Sequence, residues 1–322
     1  MRRMLRSAGV WLMLLAVLPV QANAARLLVP VGKVIGLQLQ NDTLTVAAYD
    51  DVFGEAARSA GLKIGDEILD INGCDVSCAE DVRSVLSDAQ PPVKLTVRRG
   101  SKVSHVTLTP KQTENGPRMG VYLRQGISGI GTVTFYDPET GLFGTLGHGV
   151  SDGAGSLLQM TQGEAYEASV ISVKKGKTGD PGQLKGSADG TGAFGQLLRN
   201  TPQGVFGTTN YGWPGEAVLT ADYGEILPGP VQIRCQINGG QPWEYSAEIL
   251  KIYPETRTDG RNFLLKITDP DLLQCTGGIV QGMSGSPIIQ DGKLVGAVTH
   301  VLVNDPQTGY GIFIENMLEA AS

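Results

Sequence analysis

Short apolar runs separated by glycine-containing turns make up most of the chain from residue 119 onward. Runs of four to eight residues that are rich in β-branched and aromatic side chains and bounded by turns are typical of strands. Helical periodicity is nearly absent in this part. The pattern predicts a β-barrel or a pair of barrels. Examples are Val121–Leu123, Gly131–Tyr136, Ala168–Val173 and Pro230–Cys235.

The preceding stretch, Leu27 to Pro110, has a mixed pattern that predicts a compact α/β unit. Two strand-like runs, Val34–Leu39 and Leu44–Tyr49, come before a short helix that stops at Gly61. A second helix is expected after Ser77, which has Glu80 three residues later as in a capping box. A hairpin closes the unit, and the polar segment 111–117 marks its end.

Composition agrees with a globular β-rich protein. The chain has 322 residues, of which 41% are hydrophobic and 18% are charged, which is enough for two domains. Its 44 glycines are roughly double the average usage of about 7% and favour short strands and turns. The glycine-rich stretch 176–195 is expected to be an exposed loop.

Residues 1–24 have the features of a secretory signal peptide. A start containing three arginines precedes an apolar run from Ala8 to Val20, and Ala22-Asn23-Ala24 provides a small-x-small cleavage site. An uncleaved anchor is the alternative, and would leave the protein peripheral to the membrane. Cleavage of this segment would remove its three arginines and change the formal charge from −6 to −9. So acidic a chain is not expected to bind nucleic acid.

The four cysteines are too few to form a disulfide scaffold in a chain of this length. A bridge between Cys74 and Cys78 is possible at that spacing, but the sequence does not fix the pairing. Cys235 and Cys275 complete the set. No histidine lies near any pair of cysteines, which argues against a metal site.

The segment Gly282-Met283-Ser284-Gly285-Ser286-Pro287 carries the strongest chemical signal. A serine becomes an effective nucleophile when a tight turn exposes its oxygen and aims backbone N–H groups at the developing oxyanion. The segment resembles the nucleophile turn of chymotrypsin-like serine peptidases. That resemblance assigns Ser284 as nucleophile and the N–H groups of Gly282 and Ser284 as the oxyanion hole. An ordinary glycine turn between two strands is the alternative, and is the interpretation for Ser286.

A serine nucleophile needs a base, and the chain has three histidines, His105, His148 and His300. His105 alternates with its neighbours on a predicted strand of the α/β unit. His300 follows the strand after Ser284, where it either lines the cleft or packs. His148 lies between two glycines at a strand end, which favours exposure and identifies it as the expected base. The carboxylate that would orient it stays open among five residues: Asp152, Asp180, Asp189, Asp269 and Asp271.

The stretch Ala60–Gly73 closely resembles a PDZ domain. Such domains add a peptide as an extra strand to an exposed sheet edge and hold its terminal carboxylate on backbone N–H groups. By position, Ile35, Gly36 and Leu37 are expected to form that carboxylate loop. A PDZ unit that only docks on its own catalytic domain is the alternative.

Three segments together, Thr145–Gly149, Ile267–Asp269 and Thr276–Ile288, resemble the stage IV sporulation protein B (SpoIVB) peptidases. Members of that family are exported serine endopeptidases of endospore-forming bacteria that act between mother cell and forespore. They cut themselves and cleave a membrane-associated regulator that triggers late sigma-factor processing. The resemblance implies a triad of His148, Asp269 and Ser284, and no metal or cofactor.

The expected plan is therefore a signal peptide (1–24), a linker (25–32), a PDZ domain (33–112) and a chymotrypsin-like double β-barrel peptidase domain (113–322). The expected partners are a protein substrate and peptide C-termini held by the PDZ domain. The expected location is extracytoplasmic, in the intermembrane space around the forespore. The alternatives are a non-catalytic secreted PDZ adaptor and a general extracytoplasmic quality-control protease.

Overall fold

The computed structural model describes residues 25–152, 155–257 and 259–322. The predicted signal peptide lies outside the described residues. The first elements are β1 (Leu27–Pro30), β2 (Val34–Tyr49), α1 (Gly54–Ser59), β3 (Glu67–Ile71), β4 (Cys74–Asp75), α2 (Ala79–Asp88), β5 (Val93–Arg99), β6 (Lys102–Leu108), β7 (Lys111–Thr113), β8 (Gly116–Arg118), β9 (Val121–Tyr136) and β10 (Leu142–Thr145).

The remaining elements are β11 (Gln162–Lys174), β12 (Gln183–Thr201), β13 (Gly204–Thr209), β14 (Val218–Leu219), β15 (Gly229–Cys235), β16 (Trp243–Ile252), β17 (Phe263–Ile267), α3 (Pro270–Thr276), β18 (Pro287–Gln290), β19 (Lys293–Leu302), β20 (Asp305–Phe313) and α4 (Ile314–Ala321). None of the helices in the described ranges is long and apolar enough to cross a bilayer.

Six strands close the first barrel in the order β2, β9, β10, β13, β12, β11, with β11 pairing back to β2. Closure leaves these strands without an open edge at the barrel wall. Apolar side chains such as Leu37, Val133 and Phe143 fill the interior. The aromatic ring of Trp213 packs edge-on against Phe143, with 5.5 Å between centroids.

The second barrel is also closed, in the order β15, β16, β17, β20, β19, β18. Its core contains Ile233, Phe263 and Val298, all fully buried. The alternation of buried and exposed residues in β15 and β17 is what a sheet with one buried face requires. The two barrels and the PDZ unit confirm the predicted mainly β fold.

The PDZ unit is built on the outer halves of two barrel strands. Residues 44–49 of β2 pair with residues 121–125 of β9, and Leu44–Thr45 pair with β3 on the other side. β5 and β6 extend this sheet. Helices α1 and α2 supply Ala57, Val82 and Leu86 to a core that is separate from those of the barrels.

The structure places the unit boundaries differently from the predicted plan. The expected linker contains β1, which pairs with both β9 and β14, so it is part of the folded barrel region. β2 and β9 each run without interruption from the PDZ sheet into the first barrel. The chain therefore does not divide at residue 113; the PDZ unit is inserted between two neighbouring barrel strands.

The position of Ile35, Gly36 and Leu37 corrects the predicted carboxylate loop. All three residues lie in the barrel half of β2, where Gly36 is opposite Ile130 of β9 on one side and Tyr166 of β11 on the other. Ile35 and Leu37 are buried. A strand that is paired on both sides has no free N–H groups to offer a peptide, so these residues are not a peptide-binding loop.

Two smaller predictions also change. The N-cap of α2 is Cys78 rather than Ser77, and Asp81 rather than Glu80 accepts the hydrogen bond from its N–H. Cys74 and Cys78 are both unbridged. The loop predicted at 176–195 is wrong for most of its length, because β12 begins at Gln183. Its glycines coincide with register shifts in the pairing with β11 instead of ending the strand.

Candidate active site

The predicted nucleophile turn joins the segment after α3 to β18, and glycine is required in it. Gly285 has a φ of +94°, and a Cβ atom there would lie 2.0 Å from the carbonyl oxygen of Thr132. Gly282 has a φ of +99°. Side chains other than glycine rarely adopt this region and have no room at position 285. The glycine spacing of the motif is thus set by the turn and by its contact with β9.

Two threonines of β9 hold this turn against the first barrel. The N–H of Thr132 donates to the carbonyl of Ser284 at 3.0 Å, and its hydroxyl donates to the carbonyl of Gly282 at 2.7 Å. The hydroxyl of Thr134 donates to the carbonyl of Gly285 at 2.7 Å. Sequence reasoning missed both threonines. The only signal in the sequence is that these two polar residues alternate with Val133 and Phe135 in an apolar run; in the structure both are buried.

Ser284 and His148 line one cavity of about 350 Å³ between the two barrels, together with His300 and Thr299. The structure therefore brings together the predicted nucleophile and the predicted base. The hydroxyl of Ser284 donates to the carbonyl oxygen of Thr299 at 2.8 Å. Ser284 must turn away from this carbonyl to donate to an imidazole, so the structure shows a resting arrangement.

The N–H groups of Gly282 and Ser284 are available for an oxyanion. In the described part of the chain neither donates to a protein acceptor, whereas the neighbouring N–H groups of Met283 and Gly285 donate to Val280 and Val298. Free N–H groups beside a nucleophile are what an oxyanion hole requires. That both donate to the same oxyanion stays a prediction.

His148 follows β10, after a sharp turn in which Leu146 and Gly147 both have positive φ values of 70° and 68°. Its Nδ1 lies 3.0 Å from the carbonyl oxygen of Gly149. Because a carbonyl only accepts, Nδ1 carries the proton and Nε2 keeps its lone pair, which is the tautomer a general base needs. Burial lowers the pKa of His148 below its usual value, although the Gly149 carbonyl opposes this. The imidazole is therefore neutral at neutral pH.

His300 lies beside the base in the same cavity. The two rings are 5.2 Å apart between centroids at an angle of 38°. Burial first, then the electrostatic effects of His148 and Arg261, lower the pKa of His300 to about 4. The structure thus places His300 in the cleft, which is one of the two alternatives that the sequence left open. His105 is exposed in the PDZ unit, where its Nδ1 lies 3.2 Å from the hydroxyl oxygen of Thr96.

Asp269 is not brought to His148. It is the N-cap of α3, where one carboxylate oxygen accepts the N–H groups of Asp271 and Leu272, each at 3.0 Å. The other oxygen accepts the N–H of Ser246 at 3.2 Å. Asp269 does not line the catalytic cavity. In this structure the carboxylate of Asp269 caps a helix, and its role in a triad stays a prediction.

The other candidate carboxylates also lie outside the cavity. Asp180 pairs with Lys174 at 2.7 Å, and Asp271 lies in the first turn of α3. Among the described residues neither Asp152 nor any other carboxylate lines the cavity around Ser284. The side chain of Asp189 lies outside the described part of the chain. Nor do the described residues contain a cluster of three or more potential metal ligands.

Replacing Asp269 tests these two roles. Asp269→Asn keeps a capping oxygen but removes the charge, so we expect a loss of at most about 1 kcal/mol in the free energy of unfolding and near-parental cleavage rates. A triad role predicts a loss of roughly 10⁴-fold in kcat instead. Urea unfolding and peptide cleavage on the same samples measure both quantities. Asp271→Asn is the matched control, since this exposed neighbour caps nothing.

An open strand edge is present in the PDZ unit at the start of β9. Residues 121–125 of this strand pair with β2 on one side only, and no other described strand covers the opposite edge. Helix α2 packs close by, against β8. The preceding Met119 is buried in the PDZ core, and Gly120 has a φ of +80°. This edge, not Ile35–Leu37, is where a peptide strand can be added.

Comparison with known sequences identifies the family of the chain. The profile described as SpoIVB peptidase S55 matches residues 115–318, which is more than half of the chain. The chain belongs to the SpoIVB peptidase S55 family. A PDZ domain profile matches residues 33–109. The predicted family is therefore confirmed, and the chain joins a domain of this serine peptidase family to a PDZ domain.

Individual relatives are more distant. The mitochondrial serine protease HTRA2 of Drosophila sechellia is 34% identical over 71 residues, which are 22% of this chain and 17% of that protein. A putative zinc metalloprotease of Rhizobium meliloti is 27% identical over 207 residues, or 62% of this chain and 50% of that one. The active form of the Rv3671c protease from M. tuberculosis aligns with a TM-score of 0.36 at 17% identity, covering 61% and 73% of the two chains.

Proposed function

We propose that this serine peptidase is an exported endopeptidase that cuts itself and cleaves a membrane-associated regulatory protein during endospore formation. The observation that carries the proposal is membership of the SpoIVB peptidase family across residues 115–318. The basic and apolar residues 1–24 support export. Cleavage of the regulator takes place in the space between mother cell and forespore and leads to activation of a late sigma factor.

The chemistry is acyl transfer from a peptide to Ser284. The Ser284 hydroxyl rotates away from the Thr299 carbonyl, its oxygen attacks the peptide carbonyl carbon, and Nε2 of His148 takes the proton. The N–H groups of Gly282 and Ser284 stabilise the oxyanion. His148 then returns the proton to the leaving amine, and a water molecule, activated by the same imidazole, hydrolyses the acyl-enzyme.

We propose that the PDZ unit recruits the substrate. A peptide C-terminus adds as a strand to the open edge at residues 121–125, next to α2. Arg118 and Arg124 are exposed at this edge, which favours an acidic or carboxylate-terminated segment. The same strand, β9, contacts the nucleophile turn through Thr132 and Thr134.

Complementation tests the signalling role. The chain is expressed in an endospore-forming bacterium that lacks its own peptidase of this family, and late sigma-factor processing is followed by immunoblot. We expect processing to be restored by the parent and not by an otherwise identical Ser284→Ala chain. Processing that stays absent while the purified enzyme cuts many unfolded proteins would instead favour general quality control.

A further inference from the structure

The walls of the catalytic cavity are apolar on several sides. Ile279 and Val280 come from the segment before the nucleophile turn, Ile130 comes from β9, and Val301 comes from β19. Ile130 and Val301 are partly exposed, so their side chains reach the mouth of the cavity. No charged side chain of the described residues lines this space. Gln281 and Thr299 are the uncharged polar side chains of the wall besides Ser284 and the histidines, so a substrate side chain that enters meets mainly aliphatic groups.

Among the described residues the cavity lining holds no counter-ion either. Both histidines of the cavity are held neutral by burial, which shows that the site stabilises charge poorly. The charged groups that act on His300 are Arg261 and Asp259, and neither of them lines the cavity; the Arg261 guanidinium lies over the ring of Tyr310, 5.4 Å from its centroid. Asp259 is already paired with Arg257 through two hydrogen bonds of 2.7 and 2.9 Å. A charged substrate residue would lose its hydration without gaining a partner.

We propose that this peptidase selects an uncharged aliphatic side chain at the residue whose carbonyl Ser284 attacks, and that Ile130 and Val301 set this preference. The cavity volume of about 350 Å³ has to hold part of the main chain as well, which favours side chains of the size of valine and leucine. The inference rests on the peptidase activity of the proposed function. It adds the class of residue that is cleaved.

Peptides that differ only at this one residue test the preference. The mature chain, residues 25–322, is given a series with Leu, Val, Lys or Glu at the cleaved position, and kcat/KM is measured for each by mass spectrometry. We expect the Leu and Val peptides to be cut roughly 100-fold faster than the Lys and Glu peptides, the upper range of discrimination by an apolar pocket. Equal rates, or faster cleavage after Lys or Glu, would overturn the proposal.

A pair of valine variants tests the wall itself. Val301→Glu places a carboxylate at the cavity mouth, so the ratio of Lys to Leu cleavage is expected to rise at least about tenfold. Val303→Glu is the matched control, because Val303 is 47% exposed and lies outside the cavity. Circular dichroism establishes that both variants fold. The same ratio in both variants would remove Val301 as a determinant.

Labelling separates the failure of this inference from the failure of the peptidase itself. Peptidyl diphenyl phosphonates react when the serine oxygen attacks phosphorus and phenoxide leaves, so a single event on Ser284 is visible in the intact mass. Reagents with a valine or a lysine side chain at the position of the cleaved residue compare these two side chains by the rate of labelling, even when the enzyme is too slow for turnover to be measured. Labelling without preference rejects the selectivity alone. A chain that neither cleaves nor is labelled rejects the peptidase activity, and the selectivity with it.

Discussion

Ser284→Ala protein is expected to stay whole under conditions in which the parent chain shortens itself. The Ser284 oxygen is the only atom proposed to form a bond to the substrate, so its removal should lower kcat on the order of 10⁶-fold. The fold should be kept, because the hydroxyl makes one hydrogen bond, to Thr299, in a turn that backbone contacts already hold. Intact mass of residues 25–322 over time measures the effect.

Ser286→Ala is the matched control for this experiment. Ser286 is fully buried two residues further along, and its hydroxyl donates to the carbonyl of Met283 at 2.6 Å. Its loss should cost about 1 kcal/mol of stability and leave most of the activity. A Ser284→Ala chain that shortens as fast as the parent would show that the nucleophile is another residue or that the cutting comes from a contaminant.

His148→Gln is expected to reduce kcat by a similar factor, on the order of 10⁶-fold, because nucleophile and base act as one unit. Glutamine is close in size to histidine but cannot take the serine proton. His300→Gln is the control, since it changes the neighbouring ring and leaves the base. Its cost should stay under about 100-fold, the scale of a misplaced catalytic group. Equal losses in the two variants would mean that the base has not been identified.

The two histidines also fix the sign of the pH dependence. The pKa of His148 in the folded protein lies below its usual value because of burial, so kcat/KM should hold at pH 6.5 and fall only at lower pH. Below about 6.5 the unfolded chain binds protons that the folded chain does not. The free energy of unfolding should therefore decrease as the pH falls from about 6.5 towards the pKa of His300, about 4. An activity midpoint above pH 6.5 would contradict this.

Local chemistry was sufficient to predict two residues, Ser284 and His148, that the structure brings together. The turn around Ser284 and the glycines on both sides of His148 each lie within one short continuous segment, so both can be recognised locally. The structure brings the two side chains to one cavity. The orienting group could not be found in this way. Asp269 has the residue type and the strand-end position that the resemblance implies. In the structure it caps the N-terminus of α3, and the sequence pattern did not predict this second role for its carboxylate.

The predicted carboxylate loop was wrong for a different physical reason. The run Val34–Leu39 predicts a strand, and β2 does form there, but a strand looks the same in sequence whether its edges are open or paired. Which strands cover it depends on residues 127–132 and 162–167, far away in the chain. The carboxylate loop was therefore placed on a strand whose two edges are both occupied.

The continuity of β2 and β9 has a consequence for how the chain folds. Leu39 and Ile127 face each other across this pair, although about 90 residues lie between them, and closing so long a loop carries a large entropic cost. Once the PDZ unit has folded, its own pairing of residues 44–49 with 121–125 already holds the two strands side by side. The first barrel can then extend them as an ordinary hairpin, so we expect the inserted unit to fold before this barrel.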